Sequence, residues 1–275
     1  MGFFVEIYDD PSSTTLDVGE VLKYLANNFP CVQVTLKKEF CESHLEKHSS
    51  DYAKSANEDL AVAFAKSRVH DHTRPISDRK PMYGEIAYEK RRLNNKSKQP
   101  FGVVYDGWSV QSALCGILDD KGLSPSHLHV VFTNQLLATF DPGDGRYHFR
   151  TVLLGHPAII STTGLVEAPA KPREFYLRRE EARATGAGDV HIALEHEYRF
   201  RCLLHDDERL TEVAKGYALQ AAYYAAFGIA FCDDKNCRLY NAHWQEEMLA
   251  AQMQGPYEIC PTHESLLDSY SQTKS

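Results

Sequence analysis

Two pairs of metal-ligating residues near the C-terminus constrain the fold of this chain most strongly. Cys232 and Cys237 enclose a tight loop, and Cys260 and His263 form a second close pair downstream. Zinc prefers four nitrogen or sulfur ligands in a tetrahedron, and two close pairs can each supply half of that shell. The spacing therefore predicts one closed, structural zinc site of the Cys3His type. The alternative is three unrelated thiols and a surface histidine.

The overall composition narrows the class of protein and its partners. The chain has 275 residues, of which 43% are hydrophobic and 25% are charged, as in a soluble globular protein. Its net charge of −8 argues against nucleic acid as a partner. No apolar run is long enough to span a membrane, and no cleavable secretion signal follows Met1. We therefore expect a cytoplasmic protein that binds neither nucleic acid nor membrane.

The first forty residues have the pattern of a strand, a helix and a second strand. Residues 3–8 are apolar and read as a strand, and residues 32–36 alternate as a second one. Between them, apolar residues recur at helical spacing after Asp17. This order predicts an α/β layer with parallel strands. It contains no glycine-rich phosphate loop, which argues against nucleotide binding.

The middle of the chain is polar at first and then apolar. Residues 41–100 are rich in charged residues, and one helix is predicted at 56–67. Downstream, residues 127–133 predict a strand, the turn sequence within 140–148 predicts a hairpin, and residues 158–163 predict a further strand.

Histidines and one glutamate in this part of the chain could form a second, relocated metal site. His127 and His129 share one face of their predicted strand, because side chains alternate along a strand. His191 and Glu195 share one face of a predicted helix at four-residue spacing. Each could equally be an ordinary polar residue beside a core. The full set of candidates is His127, His129, His148, His191, Glu195 and His196.

A proline-stiffened connector and one tryptophan are candidates for contact with a substrate or partner. Lys171 and Arg173 flank a proline near Glu167, and together they could hold a peptide or an acidic group. The alternative is that these charges pair with one another. Trp244 is of the residue type that dominates interface energies, or it packs over the predicted zinc loop.

The clearest helix of the sequence carries a resemblance to a known family. Residues 208–227 are apolar nearly all round in their second half, which predicts a buried helix that ends at Gly228. This segment resembles the archaemetzincins, which carry His-Glu-x-x-His-x-x-Gly-x-x-His, then Cys-x4-Cys-x-Met, then Cys-x-x-Cys. Gly228 stands at the family's glycine, Cys232 and Cys237 at its first cysteine pair, and Leu239 at its methionine.

The resemblance implies a retained structural zinc and a missing catalytic one. In that family the helix histidines bind the catalytic zinc, the glutamate is the general base, and the cysteines bind the structural zinc. Cys260 and His263 stand at the last cysteine pair of the family. The catalytic positions are changed, because the three histidine positions and the glutamate position are occupied here by Ala221, Ala225, Phe231 and Ala222. Alanine and phenylalanine can neither ligate a metal nor transfer a proton.

The chain also resembles a mostly archaeal group of proteins regarded as metallopeptidases, which share its Glu-Ala-Pro-Ala-Lys-Pro-Arg-Glu and Tyr-Asn-Ala-His-Trp-Gln-Glu stretches. Together these resemblances imply one α/β domain with a metzincin-like mixed sheet, a buried long helix and a C-terminal Cys3His zinc knuckle. Its parts are an opening at 1–40, a polar insertion at 41–100, a core at 101–228 and the knuckle at 229–265.

Three functions remain open on the sequence alone. The first is a zinc-binding relative of the metallopeptidases that has lost its catalytic zinc and binds a peptide or protein. The second is an active metallohydrolase with a relocated His/Glu site. The third is a non-enzymatic assembly protein. Zinc is the expected cofactor in each, and the oligomeric state is left open.

Overall fold

The computed structural model describes residues 3–29, 32–95, 102–185 and 190–274. The strands are β1 (Phe3–Tyr8), β2 (Val32–Lys37), β3 (Val104–Asp106), β4 (His127–Thr133), β5 (Leu136–Asp141), β6 (Arg146–Arg150), β7 (Val152–Leu153) and β8 (Ala158–Ser161). The helices are α1 (Val18–Asn28), α2 (Phe40–Leu45), α3 (Ser50–Lys66), α4 (Tyr83–Asn94), α5 (Gly107–Cys115), α6 (Thr162–Glu167), α7 (Arg173–Thr185), α8 (Val190–Tyr198), α9 (Leu210–Phe227), α10 (Gln245–Met253) and α11 (Pro261–Lys274).

A five-stranded mixed sheet forms the centre of the fold, in the order β2-β1-β4-β8-β7. The first four strands are parallel, and β7 pairs with β8 in the antiparallel direction at the edge of the sheet. The predicted strand–helix–strand opening with parallel strands is therefore confirmed. A second sheet of three strands has the order β3-β5-β6, and its β5–β6 pair is the predicted hairpin.

Each face of the five-stranded sheet is covered by a separate apolar core. On one face, β1 and β4 contribute residues such as Val5 and Val130, which pack with α1 and α9. On the other face, Val131 and Ile159 pack with α3 and α5 through residues such as Phe64. Strands covered on both faces are typical of parallel sheets in α/β proteins. None of the described helices combines the length and the apolarity needed to cross a membrane.

The polar region after β2 forms three helices that pack into the second core. The predicted helix at 56–67 is α3, which begins earlier, because the Ser49 hydroxyl accepts a hydrogen bond from the Tyr52 N–H and caps it. Leu60 and Phe64 of α3 are buried, as the predicted apolar stripe requires. In the first turns of α3 the apolar stripe is continued only by the small, partly buried Ala53 and Ala56, a weak signal that places the predicted start too late.

The long helix α9 ends at Gly228 as predicted. Gly228 has a φ of +71°, in the left-handed region that favours glycine, and its N–H donates to the Tyr224 carbonyl. Most of α9 is buried between the sheet and α10, including Ala221 and Ala222. At Gly216, α9 lies directly against the side chain of Gln252 on α10.

We expect Gly216→Ala to destabilise the protein by about 1–3 kcal/mol, because the added Cβ would overlap the amide of the buried Gln252. The free energy of unfolding in urea measures this effect. Gly84→Ala in α4 is the matched control, since a Cβ at that position meets no neighbouring atom within 4 Å. The close packing would be refuted if Gly216→Ala were as stable as the wild-type protein.

Candidate metal centres and cleft

The two predicted ligand pairs converge to form a Cys3His cluster, made of Cys232, Cys237, Cys260 and His263. Their ligand atoms all lie within 4.8 Å of one another. The Sγ atoms of Cys232 and Cys260 are 3.8 Å apart, and His263 Nδ1 is 3.9 Å from Cys237 Sγ and 3.0 Å from Cys260 Sγ. Two sulfurs bound tetrahedrally to one zinc would be about 3.8 Å apart. The cluster therefore has dimensions that suit a zinc ion.

The first pair of ligands is positioned by a tight loop after α9. The Cys232 N–H donates to the Leu239 carbonyl at 2.8 Å, and the Cys237 N–H donates to the Asp234 carbonyl at 3.0 Å. The Asp234 N–H points at Cys232 Sγ from 3.3 Å, which favours a thiolate at this position. The loop thus holds both sulfurs on one side of the chain.

The second pair of ligands is positioned by the start of α11. Pro261 is the first residue of this helix, where its fixed φ and missing N–H cost nothing. Cys260 precedes it, and the His263 N–H donates to the Cys260 carbonyl at 2.9 Å. The first helical turn therefore places the Cys260 and His263 side chains on the same side. The Tyr223 hydroxyl of α9 donates to the His263 carbonyl at 3.0 Å and fixes the turn.

Burial sets the protonation states of this cluster. Cys237 has no exposed surface, and burial raises the pKa of its thiol to about 12. Burial also lowers the pKa of His263, which keeps its imidazole in the neutral form that binds metals. A divalent cation displaces thiol protons when it binds, so these residues fit a metal ion that neutralises a buried group of thiolates.

A second cluster, which we call the strand cluster, consists of Glu6 on β1 with His127 and His129 on β4. His127 Nε2 and His129 Nδ1 lie 3.4 Å and 3.5 Å from the same oxygen, Glu6 Oε2. The two imidazoles are stacked, with centroids 4.6 Å apart and planes inclined by 6°. The parallel register places Glu6 beside His129. The predicted sharing of one strand face by the two histidines is thus observed.

A shell of polar groups surrounds the strand cluster. The Tyr8 hydroxyl lies 2.7 Å from Glu6 Oε2, 2.8 Å from His129 Nδ1 and 3.0 Å from His44 Nε2. Burial, followed by the neighbouring charge of His127, lowers the pKa of His129 to about 4. Burial would raise the pKa of Glu6, but the hydrogen bond from Tyr8 and the nearby Lys37 ammonium bring it down to about 2.

Glu6 is the member of this cluster that the sequence did not reveal. It stands in the apolar strand Phe3–Tyr8, where one carboxylate among apolar residues is the only local signal. A charged residue in such a strand must find a partner if its face is covered. Identifying that partner requires the pairing of β1 with β4, which are separated by more than a hundred residues in the chain.

The structure does not bring His148 or His196 to the strand cluster. His148 lies in the other sheet, where its Nε2 is 2.7 Å from Asp144 Oδ2, and it groups with Asp141 and Asp144 at the exposed hairpin. His196 is exposed on α8, with Arg199 Nη1 2.6 Å from its Nε2. The side chains of His191 and Glu195, also on α8, lie outside the described residues.

The residues that are candidates for contact with a substrate or partner lie in different environments. Lys171 is buried, with its ammonium 3.5 Å from Glu167, so this pair follows the alternative in which the charges pair with one another. Arg173 is exposed at the start of α7. Trp244 is 46% exposed at the start of α10, and its backbone bridges to Ala170.

A cleft of about 400 Å³ runs between α9 and the edge strand β7, and we call it the α9 cleft. The α9 side chains that line it are Tyr217, Gln220 and Tyr224. Residues 151–154 form one wall, and Phe231 of the loop after α9 lies at 45% exposure on another. The cleft therefore has a mixed polar and apolar lining that includes several aromatic side chains, and it borders a sheet edge.

The positions that resemble catalytic ligands carry no ligating group. Ala221 and Ala222 are buried within the core, Ala225 is exposed, and Phe231 lines the α9 cleft. The three α9 side chains that reach the cleft are two tyrosines and a glutamine, which are not zinc ligands of the usual kind. The helix therefore offers no site for a metal ion of the archaemetzincin type.

Comparisons with known proteins give a single family assignment. A family model described as "Probable metallopeptidase family (DUF6775)" matches residues 2–270, which is nearly the whole chain. No curated protein and no solved structure gives a significant match.

Proposed function

Because this chain belongs to the probable metallopeptidase family, we propose that it is an archaemetzincin-like, zinc-binding relative that binds peptides without the usual catalytic zinc. The observation that carries the proposal is the chemistry of α9. Its ligand and general-base positions hold Ala221, Ala225 and Ala222, and the cleft beside it remains open. A site of this kind can hold a chain but cannot activate water through a helix-bound metal.

The Cys3His cluster supports a structural zinc in this proposal. Its four residues would fill a tetrahedral shell around a bound ion and leave no open position, as in structural zinc sites. Cys237, Cys260 and His263 are buried, so a substrate could not reach a metal bound there. Zinc would tie the loop after α9 to α11 and would contribute folding energy rather than chemistry.

The α9 cleft supports an extended peptide as the ligand. Among the strands that the structure describes, β7 pairs with β8 on one side and with none on the other, so that side can pair with an added strand. Aromatic side chains around the cleft include Tyr224 at 41% exposure and Phe231 at 45% exposure. Backbone pairing would give affinity, and the aromatic residues would receive alternate side chains of the peptide.

We expect the zinc-loaded protein to bind extended peptides from a random library and to leave them uncut. Tyr224→Ala and Phe231→Ala should each weaken peptide binding by roughly 10-fold, because exposed aromatic anchors carry much of an interface's energy. Fluorescence polarisation measures binding, and mass spectrometry of the incubated peptides detects cleavage. Phe200→Ala is the matched control, since Phe200 is 77% exposed and does not line the cleft.

Two outcomes would contradict the proposal. Zinc-dependent cleavage that is lost in Tyr224→Ala would mean that the cleft is catalytic. Equal peptide binding by the wild-type protein and both cleft variants would mean that the cleft is not the binding site.

A further inference from the structure

We propose that Glu6, His127 and His129 bind a second divalent transition-metal ion, on the opposite face of the central sheet from the Cys3His cluster. The strand cluster lies on the face that carries Tyr8 and Val131, which pack with α2 and α3 in the second core. The Cys3His cluster lies beside α9, where Cys237 and Cys260 pack in the first core. The two sites therefore share no ligand and no apolar core.

The distances within the strand cluster fit a metal shell. Nitrogen and oxygen ligands at the zinc bond length would be about 3.3 Å apart in a tetrahedron. His127 Nε2 and His129 Nδ1 lie 3.4 Å and 3.5 Å from Glu6 Oε2. These separations are long for hydrogen bonds but suit two ligands of one ion. Two imidazoles and one carboxylate form a donor set that zinc and iron(II) accept.

The proton count in the cluster also favours a cation. The Gly122 carbonyl can only accept a hydrogen bond, so the His129 Nε2 that lies 3.0 Å from it carries the proton. In the neutral ring, His129 Nδ1 then presents a lone pair towards Glu6. The Tyr8 hydroxyl has one proton and faces both His129 Nδ1 and Glu6 Oε2, so it can satisfy only one of them.

His127 supplies the remaining electron pair. Its Nε2 is buried and has no hydrogen-bond partner among the described residues. A buried nitrogen without a partner is costly, and a bound cation would remove that cost. Three protein ligands would leave a fourth tetrahedral position, which the Tyr8 hydroxyl adjoins at 2.7 Å from Glu6 Oε2 and 2.8 Å from His129 Nδ1.

The Gly122 carbonyl and Tyr8 act as positioning groups in this site. The hydrogen bond from His129 Nε2 to Gly122 orients the ring so that Nδ1 faces the ion, which is the usual role of a second partner on a ligating histidine. Tyr8 donates to Glu6 or, when the ion is absent, to His129. Lys37 opposes binding, because its ammonium lies 3.2 Å from the other oxygen of Glu6.

Metal content and cobalt spectra of the full chain test the proposal. Protein equilibrated with Zn²⁺ and desalted should retain two zinc ions per chain. With Co²⁺ in place of Zn²⁺, the Cys3His site should show thiolate-to-cobalt absorption in the near ultraviolet. The strand cluster should add visible bands but no further thiolate-to-cobalt absorption. His127→Asn and Glu6→Gln should each lower the affinity for the second ion by at least roughly 10-fold and leave the thiolate absorption unchanged.

Two matched variants separate a metal site from a polar core. His72→Asn should retain both ions, because His72 is an exposed histidine beside Phe149 and supplies no atom to the cluster. Lys37→Met should raise the affinity for the second ion by roughly 2- to 5-fold, because it removes a competing cation. Circular dichroism of each variant checks that it is folded.

The inference would be overturned if the folded wild-type protein retained no metal beyond the thiolate-bound ion. It would also be overturned if a second ion survived both His127→Asn and Glu6→Gln. If the wild-type protein bound an ion at the strand cluster but showed no thiolate-to-cobalt absorption, the structural zinc would be contradicted and the strand cluster would not. The two proposals therefore fail independently.

Discussion

The Cys237→Ala variant is expected to lose its C-terminal metal ion and, with it, the stable packing of α11. Cys237 is fully buried in the Cys3His cluster, so no water can replace its sulfur without opening the loop. Binding of a structural zinc contributes on the order of 10 kcal/mol to the folding of isolated zinc modules. Without the ion, α11 would be held mainly by apolar contacts such as those of Leu267 and Tyr270.

Hydrogen exchange resolved by residue measures this effect. The amides of α11 should lose protection by at least roughly 100-fold in Cys237→Ala, which corresponds to a local loss of about 3 kcal/mol. A strong chelator should have the same effect on the wild-type protein and little further effect on the variant. Cys202→Ala is the matched control, because Cys202 is also a buried cysteine but packs with Phe175 outside the cluster.

The chelator experiment also sets the condition for rejection. If excess chelator left the exchange of α11 in the wild-type protein unchanged, the Cys3His cluster would be a group of reduced thiols and not a structural metal site.

The Glu89→Ala variant is expected to be destabilised by about 3–5 kcal/mol, because Glu89 is the centre of a buried network of charges. Its carboxylate is fully buried and accepts hydrogen bonds from Arg68 Nε at 2.8 Å, Arg92 Nε at 2.8 Å and the Tyr105 hydroxyl at 3.0 Å. Removal of the carboxylate leaves two guanidinium groups that have little exposure and no other carboxylate partner among the described residues. Much of the loss is therefore the cost of unpaired buried charge.

Comparison of the free energies of unfolding of Glu89→Ala and Glu58→Ala in urea isolates the effect of burying the carboxylate. Glu58 on α3 pairs with Lys90 on α4 at 3.0 Å, and both of these side chains are about half exposed. An exposed pair contributes about 0–1 kcal/mol, so Glu58→Ala should be nearly neutral. Equal losses in the two variants would show that the Glu89 network contributes no more than a surface ion pair.

Several elements of the fold follow from local sequence patterns. The mainly apolar run at 3–8, the alternation in residues 32–36 and the helical spacing between them identify β1, β2 and α1, because these patterns are local properties of the chain. The apolar length of α9 and its terminal Gly228 identify the long helix and its end. The start of α3 was predicted too late, because its mostly polar first turns carry a cap and only small alanines on the apolar face.

The two candidate metal sites differ in how far the sequence specifies them. The Cys3His cluster is visible in the sequence because Cys232 and Cys237 share one loop and Cys260 and His263 share one helical turn. The strand cluster is only half visible, since the spacing of His127 and His129 places them on one face but does not indicate Glu6. The histidines on other elements, such as His148 and His196, looked equivalent in the sequence and lie elsewhere in the fold.

The sequence by itself determined what depends on neighbours along the chain: the type of several main elements, the Cys3His ligand spacing and the presence of alanines at positions 221, 222 and 225 of α9. The tertiary structure alone decided what depends on strand order and helix packing: the meeting of Glu6 with His127 and His129, the burial of Glu89, and the cleft between α9 and β7. The physical reason is that periodicity fixes which face a side chain occupies, whereas long-range pairing fixes what lies opposite that face.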